Sequence, residues 1–305
     1  MAHTKSTKNT KHSKNTHRTG RRRSLRREVP STVALVTDPQ GFAAMRGYRS
    51  FTFDNHTQYL QQMEALLRSL ASQGIHVSVA LFDAEEYTDY CTETGQNPDT
   101  PTSRTRYTAE VASGGPTIPY TGQPLEHLIT QLEFKTDRQS TWEYATSLLS
   151  RTGGCADCGQ DIARSSFDRA SHALRRLIEA AGPGSHHIVC SVLADSAPLL
   201  AALHALCDED AMVHLDEAEA LIFCTVLAVG IATDSSGGVV MRTSTPDGGT
   251  DQVRGWSLHD GWLHPLTEAE VFNAYCTDAE TGEPVPPEPG VVHCPGTPLP
   301  LPTDD

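Results

Sequence analysis

Residues 33–83 limit the fold more than any other stretch. Val33, Ala34, Leu35, Val36 and Thr37 form a short apolar run. Tyr59, Leu60, Met63, Leu66, Leu67 and Leu70 then recur at helical spacing, and Gly74 stops the helix. A second, nearly continuous apolar run follows over 75–82. A run of that kind suits a strand covered on both faces. A short strand–helix–strand connection joins parallel strands with right-handed crossover. Both runs end in an aspartate, Asp38 and Asp83.

The rest of the chain is read outward from this unit. Ala163, Phe167, Ala170, Leu174, Leu177, Ile178 and Ala181 make a helical stripe that Gly182-Pro183-Gly184 ends. Residues 188–194 read as a third strand ending at Asp195. Asp195 or Ser196 then caps a short helix holding Leu199, Leu200, Leu203 and Leu206. Ser140 and Glu143 have capping-box spacing, as do Thr267 and Glu270. Residues 220–232 read as a buried strand, although period alone does not separate that from a buried helix. Turn signals at 234–238 and 246–249, and the hairpin signal His259-Asp260-Gly261, indicate antiparallel strands. The expected fold is a three-layer, Rossmann-like α/β domain, a mostly parallel sheet flanked by helices, with a C-terminal antiparallel β-meander. That domain spans 29–282, with a long irregular insertion at 84–123. Residues 1–28 form a basic tail expected to be disordered, and 283–305 a Pro-rich tail.

Charge divides the chain unevenly. Lys5, Lys8, Lys11, Lys14, Arg18, Arg21, Arg22, Arg23, Arg26 and Arg27 face only Glu28 within the first 28 residues, a net charge of +9. The whole chain carries −14, which leaves −23 for the remainder. A basic arm on an acidic body points to nucleic acid or another polyanion as partner, bound by counterion release. No apolar segment long enough for export or membrane insertion follows the basic start. The longest apolar run, 220–232, is too short to span a bilayer. The expected location is cytoplasmic, with the eight cysteines as thiols.

Two sets of residues carry candidate chemistry. Asp38, Asp83 and Asp195 each follow a strand, and carboxylates gathered at strand ends can hold Mg²⁺ for phosphodiester or phosphate-ester hydrolysis. Each is equally suited to capping a helix or opening a turn. Cys155 and Cys158 have the spacing of two zinc ligands, with Cys276, Cys294 and His293 as candidates to close the site. A redox pair is a weaker match, because that motif opens a helix after a strand. No Gly-x-Gly-x-x-Gly, Walker loop or Gly-x-Ser-x-Gly occurs, so nucleotide cofactors and hydrolase elbows have no motif here. Three readings of function follow: an α/β protein tethered to polyanion by its arm, a Mg²⁺-dependent phosphoesterase or nuclease, and a zinc-stabilised regulatory or interaction protein.

Overall fold

The computed structural model describes residues 31–155, 159–194, 197–244, 248–278 and 281–301. The basic arm, Cys158 and Asp195 lie outside them. The chain divides into two units, 1–137 and 138–305. Among the described residues no helix is long and apolar enough to cross a membrane.

The first unit holds strands β1 (Ser31–Leu35), β2 (Val77–Leu81) and β3 (Thr117–Pro119) in the order β1-β2-β3. β1 and β2 are parallel, with Ser31 opposite Val77 and Leu35 opposite Leu81, and β3 runs antiparallel to β2. Alternate residues of this small sheet feed two cores. Leu35, Val77 and Val79 pack with Leu67, Leu128 and Leu132. Val36 and Phe82 pack with Phe42, Tyr59, Tyr87 and Tyr107. β2 is therefore covered on both faces, which is why its sequence is apolar almost throughout.

Helices α1 (Pro39–Met45) and α2 (His56–Ser72) connect β1 to β2. α1 starts at the cap Asp38 with Pro39 in its first turn, and α2 at the cap Asn55. Gly74, at φ +71°, supplies the left-handed residue after α2. The expected irregular insertion at 84–123 is instead largely ordered. It contains α3 (Ala84–Glu93), α4 (Pro101–Gly114) and β3. α4 buries little beyond Ser103 and Tyr107, so its apolar stripe is too thin to stand out from the Thr, Gly and Pro around it. α5 (Leu125–Ser150) is one continuous helix. The Ser140–Glu143 spacing caps nothing there. Glu143 instead accepts a hydrogen bond from the Gln139 amide one turn earlier.

The second unit corrects the Rossmann-like expectation. It contains α6 (Ile162–Ala181), β4 (Gly184–Ala194), β5 (Ala197–Cys207), β6 (Val213–Leu215) and α7 (Glu217–Thr233). β7 (Gly237–Ser244), β8 (Asp251–His259), β9 (Trp262–Pro265), α8 (Glu268–Tyr275) and β10 (Val291–His293) complete it. The sheet order is β10-β8-β7-β4-β5-β6, with β9 also on β8. Among the described residues of this sheet only β10 on β8 is parallel, and the other pairings are antiparallel. The strand ending at 194 therefore does not extend the β1–β2 pair. It belongs to a different, mostly antiparallel sheet, of which the C-terminal strands are an integral part.

Two segments account for the difference. Residues 199–206, expected to be helical, lie in β5, which pairs with β4 along its whole length. Leu199, Ala201, Leu203 and Ala205 face the core while Leu200 and Leu206 are more than half exposed. Those two exposed leucines erase the alternation that marks a half-buried strand. Conversely, 220–232 lies in α7, buried from Phe223 through Ile231. A helix enclosed on all sides has no polar face to reveal its period. α6 and α7 cover one face of the sheet, where Ile188, Cys190, Val192, Val239, Met241, Trp256 and Leu258 meet them. Gly230 allows the close approach: a Cβ there would lie 2.4 Å from Leu258 Cδ2 and 3.0 Å from Val192 Cγ2. The Pro-rich C-terminal stretch is docked on this unit. Trp256 and Trp262 donate their ring N–H groups to the carbonyls of Thr297 and Leu299 at 2.8 and 3.1 Å.

Candidate functional site

Asp38 and Asp83 stand at the same end of the parallel β1–β2 pair, each opening a helix. The Asp38 carboxylate accepts the Gly41 amide at 2.6 Å. One oxygen of Asp83 accepts the amides of Glu85 and Glu86 at 2.8 and 2.9 Å. Both carboxylates therefore answer the free N–H groups of helix starts. Asp195 lies outside the described residues, and the strand before it, β4, belongs to the other unit's sheet.

Beside those caps the first unit holds a crevice of about 360 Å³. Val36, Met45, Phe51, Phe53, Tyr59 and Phe82 supply its apolar walls. Its cation, Arg104, is tied into the wall, donating to the Ser50 hydroxyl at 2.9 Å and the Ser50 carbonyl at 3.0 Å. Asp99 accepts the Ser50 amide at 2.7 Å. That amide, then the Ser50 hydroxyl, holds the Asp99 carboxyl below its ordinary range. Burial pushes the Tyr59 phenol up, so its proton is retained across neutral pH. The crevice is thus an aromatic pocket beside which Arg104 and Asp99 are both braced on Ser50. Arg46 and Arg49, on the loop nearby, are exposed.

The cysteines divide by environment. Cys158 lies outside the described residues. Buried Cys276 brings its Sγ to 3.9 Å from His293 Nε2. Among the described residues, Cys155, Cys276, His293 and Cys294 form no cluster of three or more ligand atoms. Cys190 and Cys224 lie in the core of the second unit, and burial pushes both thiols up, which keeps them protonated and inert.

The second unit contains a larger, more apolar cavity of about 570 Å³ between α6, β6 and α7. Phe167, Leu174, Ile178, Val213, Leu215 and Leu221 line it, and Arg175, Glu179 and Glu217 add charge. Val213 and Leu221 are exposed large hydrophobics, as is Met212 beside them. Ala211, also on the lining, adopts φ +60°, a left-handed conformation that a non-glycine residue adopts at a cost. The turn is closed by Asp208, whose carboxylate accepts the Met212 amide at 2.8 Å. Sequence reasoning missed this cavity, because its lining comes from a helix stripe, a three-residue strand and the buried helix read as a strand. It also missed His259, Asp260 and His264. Their ligand atoms lie within 4.8 Å of one another. The signal was two histidines either side of a hairpin turn.

The ten Lys and Arg of the basic arm lie outside the described residues. A family model described as Domain of unknown function (DUF8829) matches residues 20–123. That span takes in Arg21, Arg22, Arg23, Arg26 and Arg27 together with β1 to β3 and the aromatic crevice. No curated protein and no solved structure matches the chain.

Proposed function

We propose that the chain is a binding protein whose basic arm holds an acidic folded body on nucleic acid or another polyanion. The charge split carries this reading: +9 over residues 1–28 against −23 over the remainder. Lys and Arg side chains on phosphates release condensed counterions, whereas an acidic body repels phosphate. Contact is therefore concentrated in the arm. The match that begins at residue 20 is in keeping with this, since it joins the arm's five C-terminal arginines to the first unit. The test compares the full chain with one lacking residues 1–28 for retention of duplex DNA and of single-stranded RNA. Retention by the full chain should fall by about a thousandfold or more between 50 and 200 mM salt if six or more phosphates are neutralised. Equal retention by the truncated chain overturns the reading.

A second reading rests on the apolar cavity of the second unit: a small, largely apolar ligand bound between α6 and α7. Its exposed apolar rim and the strained Ala211 favour it. An apolar fluorophore such as anilinonaphthalene sulfonate should bind the native chain, and Leu174→Trp, which fills the space, should abolish that binding. Undiminished binding by the filled variant would count against the cavity.

A further inference from the structure

We propose that the β8–β9 hairpin carries a divalent transition-metal site, of the Zn²⁺ class, made by His259, Asp260 and His264. The hairpin builds it. Asp260 and Gly261 form a two-residue turn with φ of +51° and +63°, the left-handed pair that matches strand twist. The Gly261 amide is anchored on the Asp234 carboxylate at 3.1 Å. The register sets His259 opposite Trp262 and Ser257 opposite His264. His259 and Ser257 are two residues apart and so share a face, which places His259 diagonally beside His264.

The side chains are already close. The two imidazoles are nearly parallel, at 7°, with centroids 3.8 Å apart. His259 Nδ1 is 3.1 Å from Asp260 Oδ2. One donor atom from each residue falls within 4.8 Å of the other two. Ligand atoms at roughly 2.0–2.1 Å from a tetrahedral zinc are about 3.4 Å apart, so closing the site takes a contraction of under about 1.5 Å together with a swing of the His259 ring out of the stack, because ring nitrogens bind in the ring plane. The side chains of His259 and Asp260, 54% and 87% exposed, are free to make it.

One feature favours a metal over a bare stack. Nε2 of His264 is shielded from solvent and has no hydrogen-bond partner among the described residues. A buried ring nitrogen without a partner is costly, and a metal bond would answer it. Two imidazoles and a carboxylate suit Zn²⁺, Cu²⁺ and Ni²⁺. With three protein ligands, one of zinc's four positions stays open to water or to a donor from a ligand. This set shares no residue with the cysteine set drawn from spacing, and it does not depend on the arm.

The test is calorimetric titration of the chelator-stripped full chain with Zn²⁺, repeated for His259→Asn, His264→Ala and Cys276→Ser. Wild type and Cys276→Ser should bind one more ion than either histidine variant, or bind it roughly tenfold or more tightly. Because His259 is exposed, His259→Asn should keep the wild-type near-ultraviolet circular dichroism, so a lost ion there is not a lost fold. No Zn²⁺ binding by the wild type, or equal stoichiometry and affinity in both histidine variants, overturns the site.

Discussion

The Tyr59 hydroxyl accepts the Val36 amide proton at 3.1 Å, so a side chain of α2 holds the backbone where β1 ends. His56, one turn earlier, places Nε2 3.0 Å from the Val36 carbonyl. β1 is the edge strand of its sheet among the described residues, so no described strand takes these two groups. Tyr59→Phe strands the amide of a residue only 2% exposed. A loss of about 1–3 kcal/mol is expected, read as a lower urea midpoint and faster hydrogen exchange at the Val36 amide.

Asp83 offers a way to separate capping from chemistry. As a cap, Asp83→Ala should cost about 1 kcal/mol, and Asp83→Asn much less, because asparagine caps about as well. Equal losses in urea unfolding would mean that charge, and not acceptor geometry, is what the position supplies.

Gly230→Ala should destabilise the second unit despite alanine's better helix propensity. The added methyl meets Leu258, whose end can swing away, and Val192, which sits fully buried in the core. Overpacking costs about 1–3 kcal/mol, against roughly 1 kcal/mol recovered from propensity. The thermal midpoint should therefore fall; a rise would show that α7 can lift from the sheet.

Stability should also decline on mild acidification. His186 is fully buried, with Nε2–H donating to the Gly182 carbonyl at 3.0 Å and Nδ1 accepting from Thr243 at 3.1 Å. Burial, chiefly, pushes its pKa below the usual 6.5. The unfolded chain therefore takes up the proton first. The stabilisation is complete above about pH 6.5 and drains away as pH falls below it. His187 is pushed down as well, by burial and then by its neighbour His204. Thermal melts between pH 7.5 and 5.5 should show the decline, and His186→Gln should flatten it.

The parallel β1–β2 pair was legible because two covered faces leave a plain apolar run, and the pair needed only one crossover. The second sheet was not, for reasons of surface. Leu200 and Leu206 face solvent and mimic a helix, while α7 hides its period by burying every side. The aspartates were legible as positions but not as roles, since a capping carboxylate and a metal-binding one look alike before the amides are placed. His264 was hidden differently: its nearness to His259 depends on strand register, which no linear spacing states.

Both tryptophans of the second sheet have their ring N–H groups on the 297–299 backbone, and Leu299 closes over the core. That stretch follows every strand it covers. During synthesis the β-sheet must wait, with two indoles and an apolar seam unsealed, until this last strap arrives. Shielding of those indoles from a soluble quencher therefore serves as an optical clock for completion of the fold.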